Sequence, residues 1–240
     1  MEQILYLFEV FGYPFVIIAS VLAMIASSNV NRTFQRYSAQ RSKRGITGAR
    51  AAQMVLSANG VTGVRIARTP GSLTDHYNPK DNTIYLSDTV LDATSTAAIG
   101  VAAHEAGHAV QHARNYAPVR IRTAIVPITN IGARLSTPLI LIGLLLSGYA
   151  AYLGYQISLL GVAFFSLSVI FQLVTLPTEF NASRRAMQAL DNGLILDDEE
   201  LKGARKTLTA AAMTYVAALA VALTQFLRLL ALVSRGRRNR

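Results

Sequence analysis

The run His104-Glu105-Ala106-Gly107-His108 sets two imidazoles four positions apart with a carboxylate beside the first. On an α-helix, residues i and i+4 share one face about 6 Å apart along the axis. Two imidazoles at that spacing can grip one metal ion, and Glu105 can reach round as a general base towards water, as in the zinc hydrolases. The chain has 4 His and six Glu in 240 residues, so a shuffled sequence would contain the pattern roughly once in 600 trials. Its neighbours are Ala, Val and Gly, among which a lone Glu needs a reason. With no cysteine in the chain, there is no disulfide framework or thiolate site, and a metal must rely on His, Asp and Glu.

Catalytic zinc takes three protein ligands and keeps one position open. The candidates for the third ligand are His112, His76, Asp191 and Glu179. His112 continues the same stripe, but a straight helix cannot bring a residue eight positions from His104 back to the same ion, so it is expected to support a ligand or to be solvated. Glu179 stands in Pro177-Thr178-Glu179-Phe180-Asn181-Ala182-Ser183-Arg184-Arg185, at the start of an expected helix ending near Asn192-Gly193. Asp191 is the rival: Leu190-Asp191-Asn192-Gly193 resembles the later-helix Asp motif of site-2-type intramembrane metalloproteases, but it follows a charged stretch outside any apolar run. Glu179 is preferred.

The elements that must position these groups are mostly apolar. The chain is 52% hydrophobic and only 15% charged, with 23 Lys plus Arg against 13 Asp plus Glu, whereas an ordinary soluble domain carries about a quarter charged residues. Four stretches, residues 4–26, 137–155, 157–176 and 210–233, reach the roughly 20 residues that cross a bilayer core. The first lacks a basic start and is too long for a signal peptide, so it is read as a retained anchor. The second and third are parted only by Tyr155 and Gln156, which predicts a tight transmembrane hairpin. An even number of crossings then separates the H-E-x-x-H helix from Glu179, and both emerge on one side. Few aromatics and no Trp argue against nucleic acid as the partner of the +10 charge, and favour anionic lipid headgroups.

Between the first two runs, the pattern predicts a helix over 49–58 ended by Asn59-Gly60, strands over 64–68 and 83–87 forming a small hairpin or sheet edge, and a helix over 97–114 capped by Thr94, Ser95 or Thr96 and stopped before Pro118. Asp197, Asp198, Glu199 and Glu200 read as the acidic first turn of a helix entering the fourth run. Basic residues flank the spans at Arg32 to Arg44, Arg120, Arg122, Arg134, Arg184, Arg185, Lys202, Arg205 and Lys206, which puts that side in the cytoplasm. The basic tail from Arg235 disagrees, because four full crossings would place it outside.

These residues look like a known family. Gly71-Ser72-Leu73-Thr74-Asp75-His76-Tyr77, Ile84-Tyr85-Leu86-Ser87, the run from Val101 through His104-Glu105 and His108 to Ala113, and Pro177 to Arg185 resemble the YugP-type bacterial membrane zinc metallopeptidases along almost the whole chain. More distantly, an H-E-x-x-H helix, two spans and then a Glu helix resemble the HtpX-type proteases. The resemblance implies one Zn²⁺ per chain on His104, His108 and Glu179, Glu105 as general base, and a multi-pass protein of the bacterial inner membrane. It also draws attention to His76 and Tyr77 as donors to an oxyanion, with Ile84 to Ser87 as an edge strand for substrate; otherwise these two residues only shape a turn before Asn78-Pro79. In the HtpX-type pattern an Asp follows the ligand Glu at four positions and orients a ligand His. Here Ser183 stands there, leaving Asn181 or a backbone carbonyl as the expected replacement.

The expected architecture is mainly α and integral to the membrane, with about four transmembrane helices and a small α+β zinc-peptidase domain. Its parts are an anchor at 1–26, a metallopeptidase domain at 27–134, a transmembrane hairpin at 137–176, a segment at 177–209 supplying the third ligand, a fourth span at 210–233 and a basic tail at 234–240. The expected activity is zinc-dependent hydrolysis of membrane or unfolded polypeptides at the cytoplasmic face, the alternative being a zinc-stabilised adaptor or chaperone without turnover. A transporter is disfavoured, since the spans show little charge and no repeat.

Overall fold

Helices α1 (Glu2–Ser38), α2 (Gly48–Ala58), α3 (Thr96–Ala113), α4 (Ala117–Leu146), α5 (Ala151–Asn192) and α6 (Asp198–Arg238) and strands β1 (Arg65–Thr69), β2 (His76–Asn78) and β3 (Thr83–Ser87) make up the computed structural model, which describes residues 2–193 and 195–238. Val10–Ser38, Ala117–Leu146, Ala151–Asn192 and Asp198–Arg235 are long and apolar enough to cross a membrane. The protein is thus mainly α and membrane-spanning, with one small sheet. Of the basic tail, Arg240 lies outside the described residues.

The contacts gather into two compact units. The first holds Ile121–Thr175 with the chain up to Ile25 and from Tyr215 onwards. Here α4 and the start of α5 pack through small residues: a Cβ on Gly143 would stand 2.6 Å from Gly154 O, and one on Gly161 would stand 2.9 Å from Ser136 O. Such close backbone approach is how apolar helices associate where no water drives them together. The hairpin turns at residues 147–150 and not at Tyr155-Gln156, which lie inside α5. The turn falls on Ser147-Gly148, where Ala150 N donates to Leu146 O at 2.8 Å and Ser147 Oγ to Gly143 O at 2.9 Å; Tyr and Gln have no tendency to break a helix. In the same unit the charge of Arg228 lies 3.9 Å from the centre of the Tyr13 ring, a cation–π contact that suits an apolar setting.

The second unit joins Ala26–Arg120 to Leu176–Thr214. This unit holds α3 and the chain on to Arg120 together with the stretch from Leu176 that carries Glu179. Helix α2 begins at Thr47, whose side chain accepts from Arg50 N. Helix α6 begins with a capping box: Asp197 N donates to Glu200 Oε2 and Glu200 N to Asp197 Oδ1, both at 2.9 Å. The core brings Val55 of α2, Ile84 and Leu86 of β3, Ile99 of α3, Leu190 of α5 and Ala204 of α6 together, each fully buried.

The sheet has the order β1-β3-β2, with β1 parallel and β2 antiparallel to β3. This corrects the expected hairpin. The strands over 64–68 and 83–87 do pair, but in parallel, and Ile84 to Ser87 belongs to the central strand. Strand β1 pairs along the whole of β3 and β2 along Thr83–Tyr85, and the buried residues of β3 fill the core. The two edges are β1 and β2, and His76, Tyr77 and Asn78 form a strand and not merely a turn.

Candidate metal centre

Helix α3 starts at Ser95, whose Oγ accepts from Ala98 N at 3.2 Å, the middle of the three expected caps. Along its length His104, His108 and Gln111 follow at helical spacing on one face, and all three meet α5. The closeness of the two helices comes from Gly107: a Cβ there would stand 2.6 Å from Ala182 O and 3.3 Å from Ala182 Cα. Glycine costs a helix about 1 kcal/mol relative to alanine, offset here by bringing the backbone of α5 against the metal helix.

Glu179 lies one turn before Ser183 on the facing side of α5. The proline at 177 lies inside α5, so Glu179 is carried by an unbroken helix instead of starting a new one. His104 Nε2 and His108 Nε2 lie 3.3 and 3.4 Å from Glu179 Oε2, and 3.1 Å from each other. Zinc bonds of about 2.0–2.1 Å set at tetrahedral angles require donors about 3.3–3.4 Å apart. Two imidazole nitrogens and a carboxylate oxygen at these separations, with Glu179 only 2% exposed, fit one zinc ion. His104, His108 and Glu179 also form the one metal-competent cluster among the described residues.

The outer ring nitrogens are held from behind. His104 Nδ1 lies 3.1 Å from Ser183 Oγ, and His108 Nδ1 lies 3.0 Å from Gln111 Oε1. Gln111 is fully buried and its amide nitrogen donates to Thr178 O at 2.8 Å and Asn181 Oδ1 at 3.0 Å. Those two acceptors fix which end of the amide faces His108. Its Nδ1 must donate, which leaves Nε2 as the electron-pair donor. Arg185 Nε completes the chain by donating to Asn181 Oδ1 at 2.8 Å. The residue standing for the HtpX-type Asp is thus Ser183 itself. Asn181 acts one step back, through Gln111, and not on an imidazole. Burial alone would lower the His108 pKa, but hydrogen bonding to Glu179 and the charges of Glu105 and Glu179 outweigh it and raise the net value.

Glu105 is 8% exposed, and its Oε2 accepts from the backbone N–H of Tyr77 at 2.9 Å. The edge strand thereby orients this carboxylate, with Oε1 left for another proton donor. Tyr77 reaches the site by its amide, while its hydroxyl donates to Asn82 Oδ1 at 2.8 Å. His76 is turned away: it stacks on Tyr85 at 5.0 Å and its Nδ1 lies 2.9 Å from Thr74 O. Just before β2, Asp75 accepts from Ser87 N at 2.7 Å and Ser87 Oγ at 2.9 Å, and burial pushes its carboxyl above the usual range. His112 is exposed, its ring centre 6.0 Å from that of Tyr77 in an edge-on arrangement, and Asp191 is exposed outside the cluster. Gln111 and Gly107 were not singled out from the sequence; the signals for them were a Gln on the His104–His108 stripe and a glycine inside a helix.

A protein-family model described as "Putative neutral zinc metallopeptidase" matches residues 13–234. A relative named "Putative membrane protease YugP", from Bacillus subtilis (strain 168), is 40% identical over 227 residues, covering 94% of this chain and 98% of its own. No solved structure matches.

Proposed function

The chain belongs to this neutral zinc metallopeptidase family, and from that premise we propose that it is a zinc-dependent membrane endopeptidase working at the cytoplasmic face. The observation that carries the reading is the convergence of His104 Nε2, His108 Nε2 and Glu179 Oε2 within 3.4 Å of one another, beside a buried Glu105 held by a strand edge. Zinc held by these three residues would supply Lewis-acid polarisation and make water acidic enough to attack near neutral pH. Glu105 Oε1 takes the proton of the attacking water and returns it to the leaving amine. Tyr77 N–H fixes the second oxygen of that carboxylate, so the base is oriented before substrate arrives. Ser183 and Gln111 hold the imidazoles with their Nε2 atoms inward.

The cytoplasmic placement is supported by basic residues at the ends of all four apolar runs. A site whose Glu179 is borne on α5, the helix that carries the third apolar run, meets membrane and unfolded polypeptides first, and these are the proposed substrates. The test is cleavage of casein by the full chain in detergent. Cleavage that stops with a chelator and returns with zinc supports the reading. Zinc bound at one ion per chain with no cleavage of casein or of a panel of membrane proteins would favour a structural zinc site on an adaptor.

A further inference from the structure

A cleft of about 220 Å³ opens between α5 and α6, with Ser183 in its lining. Its walls are apolar, chiefly Phe180, Met187, Leu208 and Met213, and Arg184 and Arg205 line it as well. No acidic residue lines it. Both arginines are exposed, and neither makes an ion pair or hydrogen bond among the described residues. Elsewhere in this unit the basic residues Lys43 and Arg68 are paired with Asp197 and with Asp88 and Asp92. Two unneutralised guanidinium groups over an apolar cleft complement a ligand with an anionic head and an apolar body.

The position along the chain says which such ligand. On α5 the cleft residues follow within about three turns of the apolar run that ends at 176, and on α6 they lead into the run that begins at 210. Each helix passes there from apolar to basic sequence, the level at which phospholipid headgroups lie. Neither Glu105 nor any of the three metal donors lines the cleft. Its lining reaches the centre through Ser183, whose Oγ meets the outer nitrogen of His104.

We propose that this cleft binds one anionic phospholipid, with Arg184 and Arg205 on the phosphate and headgroup and the apolar walls along the glycerol and first acyl carbons. Guanidinium forks match phosphate oxygens in pairs. The inference concerns lipid and stands apart from the peptidase reading.

The test is native mass spectrometry of the full zinc-loaded chain in non-ionic detergent, titrated with phosphatidylglycerol or phosphatidylcholine. The expected result is one phosphatidylglycerol retained at concentrations where phosphatidylcholine is not. The double variant Arg184→Gln/Arg205→Gln should weaken retention roughly 30-fold, since each basic residue near the surface supplies about a fivefold factor. Thr209→Glu, exposed in the same cleft, should weaken it comparably with both arginines kept. Arg32→Gln/Arg36→Gln removes the same charge elsewhere and should change nothing. Equal retention of the two lipids, an equal loss in the Arg32/Arg36 variant, unchanged retention in Thr209→Glu, or preference for an acidic peptide over lipid would each overturn the proposal.

Discussion

Replacing Gly107 by alanine tests whether the approach of two helices sets the metal site. The added Cβ would lie 2.6 Å from Ala182 O and 3.2 Å from Ala182 C, where ordinary contact begins at 3.4 Å. Both are backbone atoms, so no side chain can swing aside, and α5 must retreat by about 0.8 Å. Glu179 and Ser183 flank Ala182 and would move with it. Donor separations now at 3.3 and 3.4 Å would open towards about 4 Å, beyond the edge of a zinc tetrahedron with bonds of about 2.1 Å. Overpacking of this kind costs about 1–3 kcal/mol of stability, and a disturbed ligand support costs about 10–100-fold in metal affinity. The assay is zinc competition against a chromogenic chelator in detergent, with the melting temperature of the zinc-free protein measured alongside. Gly100→Ala is the internal control: its Cβ would meet Ala204 Cα and Cβ at 3.3 Å, on α6, so it should leave zinc affinity unchanged. Wild-type zinc affinity in Gly107→Ala would refute the reasoning, because α3 and α5 could not then meet as described.

Removing the Ser183 hydroxyl in Ser183→Ala should weaken zinc about tenfold, whereas Ser183→Asp, a stronger acceptor for His104 Nδ1, should bind zinc at least as tightly as wild type in the same competition. Gln111→Met fills the same space without the acceptor for His108 or the donors to α5; it should lose about 10–100-fold in zinc affinity and about 1–3 kcal/mol of stability in paired binding and thermal melts. Because the His108 pKa is raised in the metal-free site, its proton competes with zinc: affinity should be full at alkaline pH and begin to fall, as pH drops, above the ordinary imidazole range, as a series of titrations would show.

The H-E-x-x-H helix was legible because His104, Glu105 and His108 lie within five consecutive residues and helical spacing alone brings the two imidazoles together. Glu179 was legible from the parity of the apolar runs, which survives although the turn lies at Ser147-Gly148 and not at Tyr155-Gln156: shifting a turn along a hairpin does not change which side the chain returns to. A run without charges carries no mark of where it bends. The helix expected to begin around Glu179 is a continuation of α5, which runs through Pro177, losing the one backbone bond that proline cannot donate. Strand β2 is three polar or aromatic residues, too short to show alternation, and without it the parallel pairing of β1 and β3 reads as a hairpin. Ser183 was read as a missing support because its hydroxyl is not the carboxylate of the related pattern. Only the arrangement of α5 against α3 shows it 3.1 Å from the imidazole.

We propose Glu105 as the base of a zinc site built on His104, His108 and Glu179. Zinc content and casein cleavage measured together on the same preparations of wild type, Glu105→Gln and Glu179→Ala test it most directly. Wild type should hold one zinc and cleave, Glu105→Gln should hold one zinc without cleaving, and Glu179→Ala should do neither. Cleavage by zinc-loaded Glu105→Gln, or a full complement of zinc in Glu179→Ala, would contradict it.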